Sequence, residues 1–359
     1  MMKIVYFVDY FEPHVWGVET AFGYIARGMV DLGHDVTILT CHHDSYLPST
    51  QICDGMTIHR MWSHRYSYMV RWLIRWYGMS ADIFHGSSRA GAFIVWLLSS
   101  IRKISRKKIR TIVTIHDYYG KLWFRYRPIL WLLYRLVERT MYRLPYDQTI
   151  TVSDYNQTKL PTSSIVINHG IDTSVRKITW WSKKYDFLYY GRSTREKWLW
   201  VLIWALGQLY LGWYTFRAVI IAPKTFEWRW QIDHDILSQL IDAWVLYRYE
   251  PMSIPQLIET ISSSRNVVVP SLNEWFGFGA AQACAMDIPV VVSDAWALPQ
   301  TISGYHIITK AWSISDLKQW LYRALQEQRD FVPKKMYNRN QSIESHHNIY
   351  TTIYGTHRS

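Results

Sequence analysis

The sequence predicts an α/β protein in two domains, and three observations carry that expectation. Short β-branched runs alternate with helical spacing along most of the chain. A length of 359 residues suggests two domains, and an apolar fraction of 49% is enough for two cores. The stretch from Val267 to Asp294 then reads as strand, loop, helix, strand. Val267 to Val269 end at Pro270-Ser271, the loop glycines Gly277 and Gly279 are expected just ahead of a helix within the small-residue segment Phe278 to Met286, and Pro289 opens a second run at Val290. Ligands of open α/β sheets sit outside the carboxyl ends of the strands, and a glycine-flanked helix start with free N–H groups seats anions.

Taken in order, Lys3 to Val8 and Val36 to Thr40 are strands on either side of a helix from Thr20 to Leu32. That helix places Ala21, Ile25, Met29 and Leu32 on one face, and Gly33-His34 stops it, giving a β-α-β unit. Gly17 lies close to the helix start, where it serves either as a plain turn or as a phosphate contact. Asp82 to Gly86 and Ile109 to Ile115 are further strands, and His116-Asp117 follows the second at its carboxyl end. Gln148 to Val152 is a strand closed by Ser153-Asp154, a helix-cap signal. Ile165 to Asp172 is strand then turn, with Gly170 expected to supply a positive φ and Asp172 to cap it.

The second domain is expected to open near Thr173 and run to 338. Asp186 to Tyr190 is a strand, Trp198 to Tyr214 a long apolar helix, and Ala218 to Ala222 another strand. Gln208 and two glycines make that apolar run a core helix rather than a membrane span. Pro255 starts a short helix, Asp316 to Leu325 is amphipathic, and Arg339 to Tyr354 forms the last helix.

Composition narrows the function. Three cysteines, Cys41, Cys53 and Cys284, are too few and too scattered for a disulfide framework or a zinc cage. Cys41-His42-His43-Asp44 reads as the polar loop after a buried strand, because it lacks ligand spacing. Charged, strand-like sequence begins at Lys3, so a cytoplasmic protein without a signal peptide is expected. The net charge of +12 is concentrated: Arg60 to Arg143 holds 17 Lys/Arg against 3 Asp/Glu, interleaved with Trp62, Trp72, Trp76, Tyr77 and Trp96. Three readings of this stretch stay open. They are a solvated basic face with snorkelling stems, an interfacial patch for an anionic membrane and, weakest, a nucleic-acid surface.

Arg192 and Lys197 stand five residues apart after a strand and a glycine, a spacing that can close on a diphosphate and neutralise a leaving group. Glu274 sits in the loop after Val269 with little competing structural purpose.

These motifs resemble a known family. Pro-Ser-x-x-Glu-x-Phe-Gly at 270–277, Pro-Val-Val-x-Ser at 289–293 and Gly-Arg-x-x-x-x-Lys at 191–197 are similar to those of retaining GT-B glycosyltransferases of family 4. Gly-Val-Glu with a following helix and Gly-His-x-Val at 33–36 resembles the opening of that family, and Asn-His-Gly-Ile-Asp its interdomain link. The resemblance implies a GT-B architecture, two Rossmann-like domains facing across a cleft. Residues 1–172 would be the acceptor side and 173–338 the nucleotide-sugar side, with 339–359 a helix packing back on the first domain. It implies that Arg192 and Lys197 clamp the diphosphate, that Glu274 and His116 lie by the donor sugar, and that the loop amides of Phe276, Gly277 and Phe278 meet the donor. His85 matches a common family residue but is better explained by packing.

Five positions depart from the pattern: Gln282 where the second Glu of Glu-x7-Glu holds the ribose, Trp16 where the first glycine of the opening is usual, and Trp296, Ala297 and Gln300 in a loop usually rich in glycine and ending in Pro-Glu. The implied activity is retaining, metal-independent transfer of a sugar from a UDP-, GDP- or ADP-sugar to an acceptor the sequence does not identify. It needs no obligatory cofactor, and closure about a hinge near 172 would cover the donor. The alternatives are a catalytically idle scaffold that binds nucleotide or glycan, and a nucleotide-sugar epimerase, which would need a further proton-abstracting carboxylate.

Overall fold

The computed structural model describes residues 1–13, 17–61, 81–104, 110–171, 183–223 and 234–355. The chain divides into two compact units, Met1–Gly170 with Arg339–Ser359, and Ile171–Asn338. Each is a mostly parallel sheet with helices on its faces, a Rossmann-like arrangement.

The first unit contains β1 (Lys3–Phe7), β2 (Asp35–Cys41), β3 (Thr50–Cys53), β4 (Met56–Met61), β5 (Ile83–Ser87), β6 (Arg110–Ile115), β7 (Gln148–Thr151) and β8 (Ile165–Val166). Their order is β3-β4-β2-β1-β5-β6-β7-β8. All pairs are parallel except β3 with β4, a hairpin turned by Asp54-Gly55. The order reverses between β1 and β5, which pair in parallel from Ile4↔Ile83 to Phe7↔Gly86. The helices of this unit are α1 (Gly17–Asp31), α2 (Ser88–Ile104), α3 (Trp123–Tyr126), α4 (Trp131–Met141) and α5 (Asp154–Lys159), joined later by a last helix from 339.

α1 buries Ala21, Ile25 and Met29 as its spacing demands. Leu32 corrects the expected face: the helix ends at Asp31, and Leu32 lies beyond the last turn, 49% exposed. Ser153 caps α5 by accepting from Asn156 N at 3.1 Å. Gly170 corrects a second expectation. It is not among the positive-φ glycines, and it is glycine for space, since a Cβ there would meet Arg339 Cα at 2.6 Å.

The second unit contains β9 (Tyr185–Tyr190), β10 (Ala218–Ile221), β11 (Leu246–Tyr249), β12 (Ser264–Val269), β13 (Val290–Ser293), β14 (Gly304–Thr309) and β15 (Asp330–Val332). The order is β11-β10-β9-β12-β13-β14-β15, parallel except for β15. It reverses between β9 and β12, which pair from Ser264↔Tyr185 to Val267↔Leu188. The helices are α6 (Leu199–Leu211), α7 (His234–Asp242), α8 (Ile254–Ser262), α9 (Phe278–Ala285), α10 (Leu298–Thr301) and α11 (Ile314–Leu325). α6 packs Val201, Leu202, Ala205, Leu206 and Leu209 into a cluster with Phe187, Phe216 and Leu321 on one face of the sheet. α9 and α10 cover the other face with Ala280, Ala283 and Leu298 against Val267 and Val292.

The last helix, α12 (Arg339–Gly355), belongs to the first unit. Ile343 comes so near Gly28 of α1 that a Cβ there would meet it at 2.5 Å, and Ile353 O accepts from Arg110 Nε at 3.0 Å. Among the described residues, no helix is long and apolar enough to cross a membrane.

Candidate functional site

In the second unit the strand order places a site before any side chain is considered. β9 and β12 flank the reversal, so the loops at their carboxyl ends border the crevice that such sheets use for ligands. The loop after β9 is 191–198 and the loop after β12 is 270–277. These are the loops that carry Arg192, Lys197 and Glu274.

The two loops are joined at three points. Leu272 N donates to Glu196 O at 2.7 Å, Lys197 Nζ donates to Glu274 Oε1 at 2.5 Å, and Ser271 Oγ donates to the same carboxylate oxygen at 3.0 Å. The side chains of Lys197 and Glu274 are 20% and 13% exposed. At that depth a lone ammonium or carboxylate would be poorly solvated, and the pair relieves both. Arg192 lies 3.7 Å from Glu196 one turn on, with half its side chain open to solvent. Tyr189, whose phenol burial pushes upward, stays protonated and donates to Arg192 O at 2.6 Å, fixing the start of the loop. The structure therefore gathers Arg192, Lys197 and Glu274 with Ser271 and Glu196 at one strand-end site. Sequence reasoning gave no role to the last two. The signals were present, Ser271 three residues before Glu274 and Glu196 four after Arg192.

The rest of the loop is held for its backbone. Gly277 is the N-cap of α9 at φ 83°, and a Cβ there would strike Leu298 Cδ2 at 2.6 Å. Both facts demand glycine. Phe276 is buried, its ring 5.1 Å from Tyr337, so this residue faces the core and only its main chain is placed for a ligand. Phe278 and Gly279 form the first turn of α9, where N–H groups lack intrahelical acceptors, and Tyr190 Oη donates to Gly279 O at 2.7 Å. Gln282, on the same helix, presents a buried Nε2 that no protein group accepts. Trp296 has φ 52° and its ring lies 4.2 Å from that of Trp275, while Ala297 N donates to Glu274 O at 3.0 Å.

In the first unit, Gly17 opens α1 after β1, again beside the reversal of strand order. Trp16 and Asp172 lie outside the described residues. His116 follows β6. It is buried, stacks on His169 at 5.2 Å and 12°, and shares a 3.3 Å contact from Nδ1 to His169 Nε2. Its Nε2 has no protein partner. Burial, with the nearby His346, lowers its pKa to about 3, so the ring is neutral and offers a hydrogen bond rather than a charge. His85 is fully buried between Tyr350 Oη at 2.6 Å and Thr114 Oγ1 at 2.7 Å, a packing role.

Among the described residues no three His, Cys, Asp or Glu side chains gather as a metal would require, and Cys41 ends β2 as a buried thiol. Part of the basic stretch beyond Arg60, namely 62–80 and 105–109, lies outside the described residues. Arg60 itself is buried and donates to Glu12 O at 2.9 Å and Gln51 Oε1 at 3.0 Å, so it is no part of a surface patch.

Comparison with known proteins bears on the fold. A family model described as Glycosyltransferase Family 4 matches residues 15–175. No curated protein matches the chain by sequence. The fold is that of solved GT-B glycosyltransferases. A sucrose-phosphate synthase from Thermosynechococcus elongatus superimposes with a TM-score of 0.81 at 13% identity, covering 99% of this chain and 100% of that one. Anabaena HepE in complex with UDP and glucose gives 0.72 at 13% identity, with 99% and 96% covered. The catalytic domain of Arabidopsis thaliana starch synthase IV, bound to ADP and acarbose, gives 0.69 at 13% identity, with 99% of each chain covered.

Proposed function

We propose that this chain transfers a sugar from a nucleotide-diphosphate-sugar donor to an acceptor, with retention of anomeric configuration and without an obligatory metal. The observation that carries the reading is the Lys197–Glu274 pair, set by two loops at the carboxyl ends of β9 and β12, where strand order reverses. The nucleotides UDP and ADP bound to HepE and starch synthase IV make uridine and adenosine diphosphate sugars the first candidates as donors.

In this reading the donor's diphosphate displaces Glu274 from Lys197. Lys197 and Arg192 turn to the phosphate oxygens, and the amides of Phe276, Gly277 and Phe278 complete the cradle. As the bond from the anomeric carbon to the diphosphate lengthens, negative charge gathers on the leaving oxygen and an oxocarbenium-like centre is left behind. Each charge-assisted contact to the leaving group is worth about 1.5–3 kcal/mol. Glu274, freed from Lys197, accepts from sugar hydroxyls and faces the positive centre. The acceptor hydroxyl attacks from the face the diphosphate leaves, and its proton passes to a departing phosphate oxygen. Gln282 meets the ribose with one acceptor and the donor at Nε2. Neutral His116 hydrogen-bonds a sugar hydroxyl.

The test is turnover. Release of free nucleotide from UDP-, GDP- and ADP-glucose, followed with EDTA present, should be detectable in the wild type and absent in Lys197→Ala, and the product anomer read by NMR should match the donor. Release that requires added Mg²⁺, or an inverted product, contradicts the corresponding part. An epimerised donor in place of released nucleotide would favour the epimerase.

A further inference from the structure

We propose that the outward face of α4 and the turn before it dock on an anionic lipid surface. The helix is inverted relative to an ordinary surface helix. Leu132, Leu133, Leu136 and Val137 are 62%, 55%, 63% and 47% exposed, and just ahead of them Ile129 and Phe124 are 93% and 59% exposed. The side buried in the protein carries the acid instead. Glu138, 1% exposed, accepts from Tyr119 N at 3.2 Å, Gly120 N at 2.7 Å and Trp123 Nε1 at 3.0 Å.

Those three bonds fix the rotation of the helix. Turning it to hide the leucines would strand a carboxylate and two backbone N–H groups together, a loss that burying four aliphatic side chains does not repay cleanly. The apolar face is therefore held outward by the fold. A contiguous cluster of six large apolar side chains marks an interaction site rather than the scattered exposure normal on surfaces.

Charge selects the occupant. Lys121, Arg125, Arg127, Arg135 and Arg139 border these apolar residues in sequence, and Arg135 and Arg139 stand three residues after Leu132 and Leu136, on adjoining turns. Between 120 and 143 the only acidic residue is Glu138, which is buried. Two such faces meeting in a symmetric dimer would bring like charges together, whereas anionic headgroups complement the cations while acyl chains receive the leucines. At eleven residues α4 lies along an interface and does not cross it. The inference does not depend on the reaction, because vesicle binding is measured without any substrate.

The experiment is flotation of the full chain with vesicles of phosphatidylcholine alone and with added phosphatidylglycerol, at low and high salt. Binding should require the anionic lipid and weaken in high salt. Leu132→Glu/Leu136→Glu should abolish it, and each of Arg135→Gln and Arg139→Gln should lower partitioning about five-fold. These side chains are solvent-facing or rim residues, so the far-UV spectrum and melting temperature serve as the control for folding, with the arginine variants as the second route. The proposal is overturned if the wild type floats with neither vesicle, if the leucine variant binds anionic vesicles as well as the wild type, or if the variant abolishes self-association in place of lipid binding.

A second inference rests on the backbone. Among the described residues eight non-glycine residues have positive φ, and five are tryptophan: Trp198, Trp213, Trp244, Trp296 and Trp312. Trp213 and Trp244 each stand one residue before a Schellman bond, Tyr214 N to Leu209 O at 3.2 Å and Val245 N to Leu240 O at 3.2 Å. Gly33 holds the equivalent place at the end of α1, where His34 N donates to Met29 O. Left-handed backbone is glycine's region, and an indole has no short polar group to offset the strain. Burial does not compensate either, since Trp213 and Trp244 are 94% and 75% exposed. We infer that Trp213 and Trp244 are glycine positions, each encoded by a codon that its own cell reads as glycine.

Trp213→Gly/Trp244→Gly should raise the melting temperature by about 2–5 °C. The protein isolated from its own cell should have an intact mass below 42.8 kDa. A lowered melting temperature overturns the first statement, and a mass of 42.8 kDa the second. The docking surface argued above uses one tryptophan, Trp123, whose Nε1 donates to Glu138, and the backbone donors Tyr119 N and Gly120 N hold that carboxylate without it.

Discussion

Acidification from pH 7 to pH 5 should destabilise the first unit through its buried histidines. His85, His116, His169 and His346 lie in one cluster with Phe22 and Tyr350; His116 stacks on His169, and His85 lies 6.0 Å from His346. Desolvation lowers the pKa of His116 to about 3 and of His346 to about 4, and pushes His85 and His169 well down. The polar groups bonded to His85 and His346 are Tyr350, Thr114 and the Ser342 carbonyl, none of which is a carboxylate that would favour a charged ring. The folded state therefore keeps these rings neutral, while the unfolded chain takes up protons below about 6.5. The stability they permit is complete above that value and is lost as pH falls from 6.5 toward 4 and then 3. Each ring still neutral at pH 5 costs about 2 kcal/mol between pH 7 and pH 5, so His116 and His346 together cost about 4 kcal/mol, with the other two acting in the same direction. That is a large part of an ordinary stability of about 5–15 kcal/mol. In urea the midpoint should fall by more than about 1 M between the two pH values. His346→Gln should shrink the fall by about 2 kcal/mol, because one proton is removed from the unfolded-state uptake. A midpoint unchanged between pH 7 and pH 5, or a fall of the same size in the variant, would refute the reasoning.

The remaining predictions concern the strand-end site. Lys197→Ala and Glu274→Ala should each abolish transfer while far-UV spectra stay native, with a loss of about 1–3 kcal/mol in stability from the partner left unpaired; turnover retained in both would remove the site assignment. Gln282→Glu should tighten nucleotide binding about five-fold, since a carboxylate accepts from both ribose hydroxyls with charge assistance, and calorimetry showing equal or weaker affinity would count against the ribose role. Gly277→Ala should lose about 2–4 kcal/mol from the φ of 83° and the Leu298 contact, measured by urea unfolding. A neutral result would mean that the loop can relax.

Much of this was legible in the sequence because local rules and tertiary demands agree there. The Val-rich runs at 267–269 and 290–292 are parallel strands, buried except for the half-buried Val269, and nothing competes with them. Arg192, Lys197 and Glu274 were readable as chemistry, since polar residues at glycine turns after strands have few structural duties. Other features depended on partners distant in sequence. Gly170 is fixed by the arrival of Arg339, 169 residues later, and not by a turn. His116 looked like a strand-end residue alone, yet it belongs to a cluster completed by His169 and His346. The orientation of α4 runs against its apolar pattern, because three hydrogen bonds to Glu138 outweigh burial of the leucines. The hairpin of β3 and β4 rests on Asp54-Gly55 in the left-handed region, a short-range turn signal inside an otherwise polar stretch.

The most direct measurement is calorimetric titration of UDP, GDP and ADP, in the absence of metal, into the wild type and Lys197→Ala. The account predicts micromolar binding of one nucleotide to the wild type and its loss in the variant, because the diphosphate takes the place that Glu274 holds against Lys197. Binding of equal strength to both proteins, or of no nucleotide to either, would contradict it.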